Sequence, residues 1–334
     1  MTGSEIRQNK ATKQWVIYAP GRKTRPKDFQ RSSSVRSEIP ERQESCPFCP
    51  GNEHMLPEIV METPEDPAPW QVRVVPNKFP AVTPEGDRNR VSEGIYVKMD
   101  GYGHHEVVIE HPLHNRQIGE MSVTEVERVV EAYHRRYVNL MQDDGTMMVL
   151  IFRNHGTRAG TSLMHPHSQI ITTGMVPHYI RWQEEGAQHY FDEWGRCVYC
   201  DILAYESGEE VRLVYENESF VAFVPFAADV PFEVWIMPRV HKADFAEIID
   251  EEKEDLAAAM REILGRLHQN LNDPDYNYIF MTSARYRSGE PQLHWYVQIR
   301  PRLTTTAGFE IGSGISINPS IPEDDAAFLR GEPE

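Results

Sequence analysis

The chain has 334 residues, 40% apolar and 25% charged, enough to bury one large core or two medium ones. Its formal charge of −17 argues against nucleic acid or an anionic membrane surface as partner, since either calls for a broad basic field. No apolar run approaches a membrane span and residues 1–11 lack the apolar core of a signal peptide, so the expected location is the cytoplasm.

In chain order, the first feature is a local reversal of charge. The segment 20-PGRKTRPKDF-29 gathers Arg22, Lys23, Arg25 and Lys27, the densest positive cluster available to an anionic ligand. The four cysteines are too few for a disulfide scaffold, yet they fall into two pairs, 46-CPFC-49 and 197-CVYC-200. Two such pairs in a chain with 14 histidines point to zinc.

After the first pair comes a strand-like segment, 105-HEVVIEHPLH-114, and then a helix. Ser122 and Glu125 form its S-x-x-E capping box, and Val126, Val129, Val130, Tyr133, Tyr137 and Leu140 make one apolar face. Next, 153-RNHGTRAGTS-162 offers Gly156 and Gly160 for close backbone approach, with Ser162, Asn154 and Arg153 or Arg158 as donors to phosphate oxygens. In 165-HPHSQI-170, period-two alternation puts His165, His167 and Gln169 on one face, with Pro166, Ser168 and Ile170 on the other. The β-branched run that follows extends the strand until Gly174 and Pro177 end it.

The second pair opens the same plan again: a strand-like 231-PFEVWIMPRVH-241, an apolar-faced helix over 251–272, and 294-HWYVQI-299. His114 to His165 spans 51 residues and His241 to His294 spans 53. Each half thus offers a Cys2His2 set: Cys46, Cys49, His114 and His165 in one, Cys197, Cys200, His241 and His294 in the other. His111, three residues from His114, is the rival ligand. Superimposing the halves places His165 on His294 and Gln169 on Gln298, while His167 falls opposite Tyr296. With His165 committed to zinc, His167 is free to act as a nucleophile toward phosphorus, and Gln169 could donate to the transferred group.

These residues resemble the galactose-1-phosphate uridylyltransferase family, the nucleotidyltransferase branch of the histidine-triad superfamily. The likeness covers nearly the whole chain, through 14-QWVIYAPGRKTRPKDF-29, 46-CPFCPGNE-53, 74-VVPNKFPA-81, 151-IFRNHGTRAGTSLMHPHSQI-170 and 308-GFEIGSGISINP-319. It implies an α+β fold of two fused histidine-triad-like halves, each an antiparallel sheet with a long helix, divided here as 1–180 and 181–334. It also implies His167 as nucleophile, Gln169 and Ser162 on the phosphates, and Asn77, Phe79 and Asn154 around the nucleotide. Arg22 and Arg25 match family arginines near the phosphates, Phe309 and Glu310 match a pair that meets the hexose, and Gln298 joins the substrate-binding candidates. The family pattern E-x-P-x-H in 110-EHPLH-114 puts the ligand on His114 and leaves His111 solvated.

Within the family, 225-PFAADVPFEVWIMPRVH-241, 270-NLNDPDYNYIFMTS-283 and 294-HWYVQIRPRL-303 are most similar to plant-type ADP-glucose phosphorylase, which implies two zinc ions per chain. Bacterial-type uridylyltransferases instead have an H-x-H pair where this chain has Tyr296 and Gln298. The expected function is a hexose-1-phosphate nucleotidylyltransferase working by ping-pong through a nucleotidyl-His167 intermediate. Its partners would be a sugar nucleotide and a hexose 1-phosphate or phosphate, and its state a homodimer. The alternatives are phosphorolysis of ADP-glucose and, outside catalysis, a nucleotide-binding regulator.

Overall fold

A computed structural model describes residues 3–22, 39–64 and 69–332. Chain order begins with β1 (Glu5–Gln8), β2 (Trp15–Tyr18), β3 (Met61–Thr63), β4 (Val72–Pro76), the hairpin β5 (Val91–Glu93) and β6 (Tyr96–Lys98), and β7 (His105–Ile109). It continues with α1 (Val123–Leu140), β8 (Met148–His155), β9 (His167–Thr173), α2 (His178–Trp194) and α3 (Val198–Glu209). The remainder is β10 (Leu213–Glu216), β11 (Phe220–Phe223), β12 (Val234–Pro238), α4 (Asp250–Leu271), β13 (Tyr276–Met281), β14 (Tyr296–Pro301), α5 (Gly308–Ser313), β15 (Ser316–Asn318) and α6 (Pro322–Arg330).

The architecture is α+β, and the two halves share one sheet. Ten strands run in the order β10-β11-β12-β14-β13-β8-β9-β7-β4-β3, with the halves joined where β8 pairs antiparallel with β13. Asn154 lies opposite Asn277 at that seam and accepts a 2.8 Å hydrogen bond from its amide. The division at residue 180 falls within the first turn of α2.

The long helices α1 and α4 cover one face together. The α1 capping box forms as the sequence predicts, with Ser122 Oγ accepting from Glu125 N–H at 3.3 Å and Glu125 Oε2 accepting from Ser122 N–H at 2.7 Å. Its six predicted apolar residues are all buried, as are Leu256, Met260, Ile263, Leu264, Leu267 and Leu271 of α4. They meet Val108, Ile151, Ile170 and Ile236 from the sheet in one continuous core. On the opposite face, α2 and α3 cover the second half, packing Ile180, Ala187, Val198 and Leu203 against Phe223, Trp235 and Met237. Among the described residues, the first half has a small cluster there, Cys46, Phe48, Cys49, Val75, Val107 and Ile109, beside His167 and Gln169.

Candidate active site and metal centres

The alternation predicted for 165–170 is realised. Ser168 is buried toward α1, where Tyr133 Oη–H donates to its Oγ at 2.6 Å, and Ile170 enters the helix-side core. His165 and His167 take the other face, both ring-packed on Phe48 with centroids at 5.9 and 5.4 Å.

The two histidines differ in which nitrogen is occupied. Nε2 of His165 lies 2.7 Å from the His111 carbonyl, which can only accept, so Nδ1 carries the lone pair and points toward Cys46 and Cys49 at 3.8 and 3.6 Å. In His167 the assignment reverses: Nδ1 lies 2.8 Å from the His165 carbonyl and takes the proton, leaving Nε2 as the lone-pair nitrogen. Burial pulls the His167 pKa below the ordinary imidazole range and pushes His165 down to about 3, so both rings are neutral. His167, Asn154, His155, Gly156, Thr161 and Leu163 line one small cleft. Ser162 stands exposed at its rim, and Gly160, at φ +95°, turns the loop through a conformation that favours glycine.

Each Cys2His2 set is assembled as predicted, its four ligand atoms within 4.8 Å of one another. The sulfur–nitrogen distances are 3.5 Å for Cys49–His114, 3.2 Å for Cys200–His241 and 3.5 Å for Cys200–His294. A tetrahedral ion with bonds near 2.3 Å to sulfur and 2.0–2.1 Å to nitrogen sets that edge at about 3.6 Å, so both groups fit one. His294 Nε2–H donates to the Pro238 carbonyl at 3.0 Å, as His165 does to that of His111, which fixes the Nδ1 atom of each toward the thiols. The first cluster is wholly buried, whereas the second leaves His241 exposed and Cys200 partly so.

Several expectations change. His111 is buried rather than solvated: its Nδ1 accepts from Leu113 N–H at 2.9 Å and its Nε2 faces Glu125 Oε1 at 3.2 Å, so it is no ligand. Arg153 is unavailable to a phosphate, because it is buried against Glu110, with Nη1 2.7 Å from Oε2, and donates to Gln117 Oε1 at 2.6 Å. Arg158 is exposed and is the cation left at that loop. Arg25 lies outside the described residues, and for Arg22 only the backbone, in a short 3-10 turn, is described. Phe79 is 83% exposed and Asn77 half-buried on the loop after β4. Phe309 and Glu310 sit on α5, where Glu310 accepts from Ala307 N–H at 3.1 Å, and neither lines the His167 cleft.

One residue escaped the sequence reading. His105 opens β7 and places its Nε2 2.8 Å from Gln169 Oε1 and 3.0 Å from the Asn77 amide nitrogen. Its spacing carries no signal, because the contact arises only when β7 pairs with β9.

The second half keeps the framework without a histidine at the position of His167. A row across the sheet runs Val107, Gln169, Phe152, Ile279, Gln298, Trp235, so the two glutamines face the same side. Three strand spacings separate them, about 14 Å. Gln298 therefore lies outside the His167 cleft, in a neighbouring cavity with Leu150, Ile171, Thr173, Ile279 and Arg300. Tyr296 occupies the position of His167 and is stacked on Trp235 at 4.4 Å, with Tyr199 at 5.7 Å, so the corresponding small cleft, lined by Met281, Thr282, Ser283 and His294, presents a phenol ring where the first half presents an imidazole.

Comparison with known proteins agrees with this geometry. A family model for the N-terminal domain of galactose-1-phosphate uridyl transferase matches residues 1–177, and one for its C-terminal domain matches residues 183–307. ADP-glucose phosphorylase of Arabidopsis thaliana is 35% identical over 330 residues, 98% of this chain and 92% of that protein. Galactose-1-phosphate uridylyltransferase of Thermotoga maritima is 30% identical over 336 residues, 98% of each chain. The crystal structure of an Arabidopsis thaliana ADP-glucose phosphorylase with bound ADP-glucose superposes with a TM-score of 0.84 at 32% identity, covering 99% of this chain and 100% of that one. The chain belongs to the galactose-1-phosphate uridyl transferase family of nucleotidyltransferases.

Proposed function

We propose that the protein transfers a nucleotidyl group between a sugar nucleotide and a hexose 1-phosphate through a covalent intermediate on His167 Nε2. The observation that carries this is the hydrogen bond from His167 Nδ1–H to the His165 carbonyl, which leaves Nε2 unprotonated in the cleft. Nε2 attacks the α-phosphorus, the bond to the sugar-phosphate oxygen breaks, and hexose 1-phosphate departs with the electron pair. A phosphate oxygen is a weakly basic leaving group, so no general acid is required. Nδ1–H stays on the carbonyl and supports the positive ring of the adduct. In the second step an acceptor phosphate oxygen attacks the same phosphorus and releases neutral His167. Gln169, Ser162, Asn154, Arg22 and Arg25 are assigned to the phosphates and nucleotide, together with Asn77 and Phe79.

A second reading is adenylyl transfer from ADP-glucose to inorganic phosphate, supported by the 35% identity to the phosphorylase and by Tyr296 and Gln298 in place of an H-x-H pair. Assays pairing ADP-glucose or UDP-glucose with phosphate or galactose 1-phosphate separate the two. For the shared chemistry, mass spectrometry after mixing with sugar nucleotide alone should find one nucleoside monophosphate on His167, labile to acid, and His167→Gly should lose it while retaining its metal. Transfer only through a ternary complex would overturn the proposal.

We assign zinc to both Cys2His2 groups as a structural ion, which supplies rigidity to the strand starts at His165 and His294. The division at residue 180 into two histidine-triad-like halves, a cytoplasmic location and a homodimer complete the reading. The homodimer is supported by Phe309 and Ile311, which are exposed on α5 away from the cleft of their own chain. Among the described residues, no helix is long and apolar enough to cross a membrane.

A further inference from the structure

We infer that His105 sets the polarity of the Gln169 side-chain amide, and is thereby a positioning residue for transfer at His167. Its Nδ1 accepts from Ala81 N–H at 3.1 Å, so the ring proton resides on Nε2, and that N–H donates to Gln169 Oε1 at 2.8 Å. With its oxygen held, Gln169 has only its NH2 group to offer on the face it shares with His167. Phosphate oxygens at the transferred group accept hydrogen bonds, so this orientation attracts them and the flipped one repels them. His105 also ties in the loop assigned to the nucleotide through its backbone: Asn77 N–H donates to the His105 carbonyl at 2.8 Å, whereas the Asn77 amide, its oxygen accepting from Phe79 N–H at 2.9 Å, only faces the ring's Nε2–H with its nitrogen and makes no hydrogen bond there.

The second half supplies an internal contrast. His105 stands two residues before Val107, which faces Gln169, and Glu233 stands two residues before Trp235, which faces Gln298. Glu233 Oε1 accepts from Gln298 Nε2 at 2.7 Å and from Trp235 Nε1–H at 2.7 Å, while its Oε2 accepts from Asp229 N–H at 3.0 Å. The Gln298 amide is therefore inverted, with its nitrogen held and its oxygen outward. A donor beside the glutamine accompanies His167, and an acceptor beside it accompanies Tyr296. Gln298 consequently presents an acceptor suited to a hydroxyl, not to a phosphate.

This inference rests on His167 as nucleophile and Gln169 as phosphate donor. The test measures the single-turnover rate of His167 nucleotidylation in His105→Ala, His105→Gln and His105→Glu, with circular dichroism and metal content as fold controls. The alanine variant, whose glutamine amide is free to rotate, should slow about tenfold, and the glutamate variant, whose acceptor flips the amide, about 100-fold or more. His105→Gln keeps a donor in reach and should recover most of the rate, with KM for the sugar nucleotide changing less than about threefold in all three. A merely structural role would rank the variants by fold stability instead. A glutamate variant as fast as alanine, or a glutamine variant no faster than alanine, overturns the assignment. If His105→Glu does not fold, the comparison of glutamine with alanine decides. A wild type that forms no adduct on His167 sinks the underlying reading, whereas a wild-type adduct with the wrong variant order sinks only the role of His105.

Discussion

A hydrogen bond to a carbonyl assigns the working nitrogen of His165 and of His167, and it assigns them oppositely. The same rule operates at Arg153, where burial decides whether a charged side chain serves a ligand or the fold. With Arg153 and Glu110 both almost fully enclosed, Arg153→Met should leave an uncompensated carboxylate and cost about 3–5 kcal/mol in urea unfolding. Arg158→Ala, at an exposed position, should change stability by less than about 0.5 kcal/mol. Equal losses in the two variants would refute this division of roles. The sequence showed two arginines five residues apart in a glycine-bearing loop but not which one the sheet would enclose. His105 was hidden for a related reason, since its partner lies 64 residues away and depends on strand register. By contrast, His165, His167 and Gln169 were legible because period-two alternation within one strand needs no partner to be read.

Elements here are held at their ends. Ser122 closes the first turn of α1 with both bonds of its capping box, so Ser122→Ala should destabilise the protein by about 1 kcal/mol in urea melts. β9 begins two residues after His165, which places His167 close to the first Cys2His2 group, while β14 begins two residues after His294 and carries Tyr296 instead. Cys49→Ser should therefore lower both the melting temperature and the yield of adduct on His167. Cys197→Ser should lower the melting temperature while leaving the adduct yield within about twofold. An unchanged adduct yield in Cys49→Ser would separate the first cluster from the chemistry. Both helices and the grouping of both Cys2His2 sets could be read in advance, because capping pairs, apolar periodicity and C-x-x-C spacing are local or repeated. The helices α2 and α3 were not, as α3 carries no amphipathic stripe: Cys197 caps it and Cys200 lies in its first turn, while Val198, Tyr199 and Leu203 pack into the core.

At the scale of the whole molecule, the seam between β8 and β13 makes the two halves one sheet, and the buried hydroxyl of Tyr278 on β13 lies 2.5 Å from that of Tyr133 on α1. No sequence signal announces that seam, because the residues at a pairing edge look like those of any interior strand. The C-terminal helix α6 is tied back by Asp325, which accepts from Phe232 N–H at 2.8 Å and from Ser320. Burial, opposed by those two bonds and reinforced by Asp324 and Glu323, raises its pKa to about 7. In the unfolded chain an aspartate loses its proton near pH 4, so between about pH 4 and 7 the folded state holds the extra proton and stability falls as pH rises. Asp325→Asn cannot ionise, and its urea stability should gain on wild type by roughly 1–3 kcal/mol from pH 4 to pH 7. A constant difference across that range would mean that Asp325 is ionised in the fold. The seam has a further consequence for how such a chain can change. In a homodimer of identical half-length chains, any substitution is written into both sites at once, so a residue useful in one and harmful in the other cannot persist. Here the two copies are separately encoded yet still brace each other. One can therefore keep an imidazole while the other holds a tyrosine stacked on Trp235 at the same position, and the asymmetry is inherited with the chain.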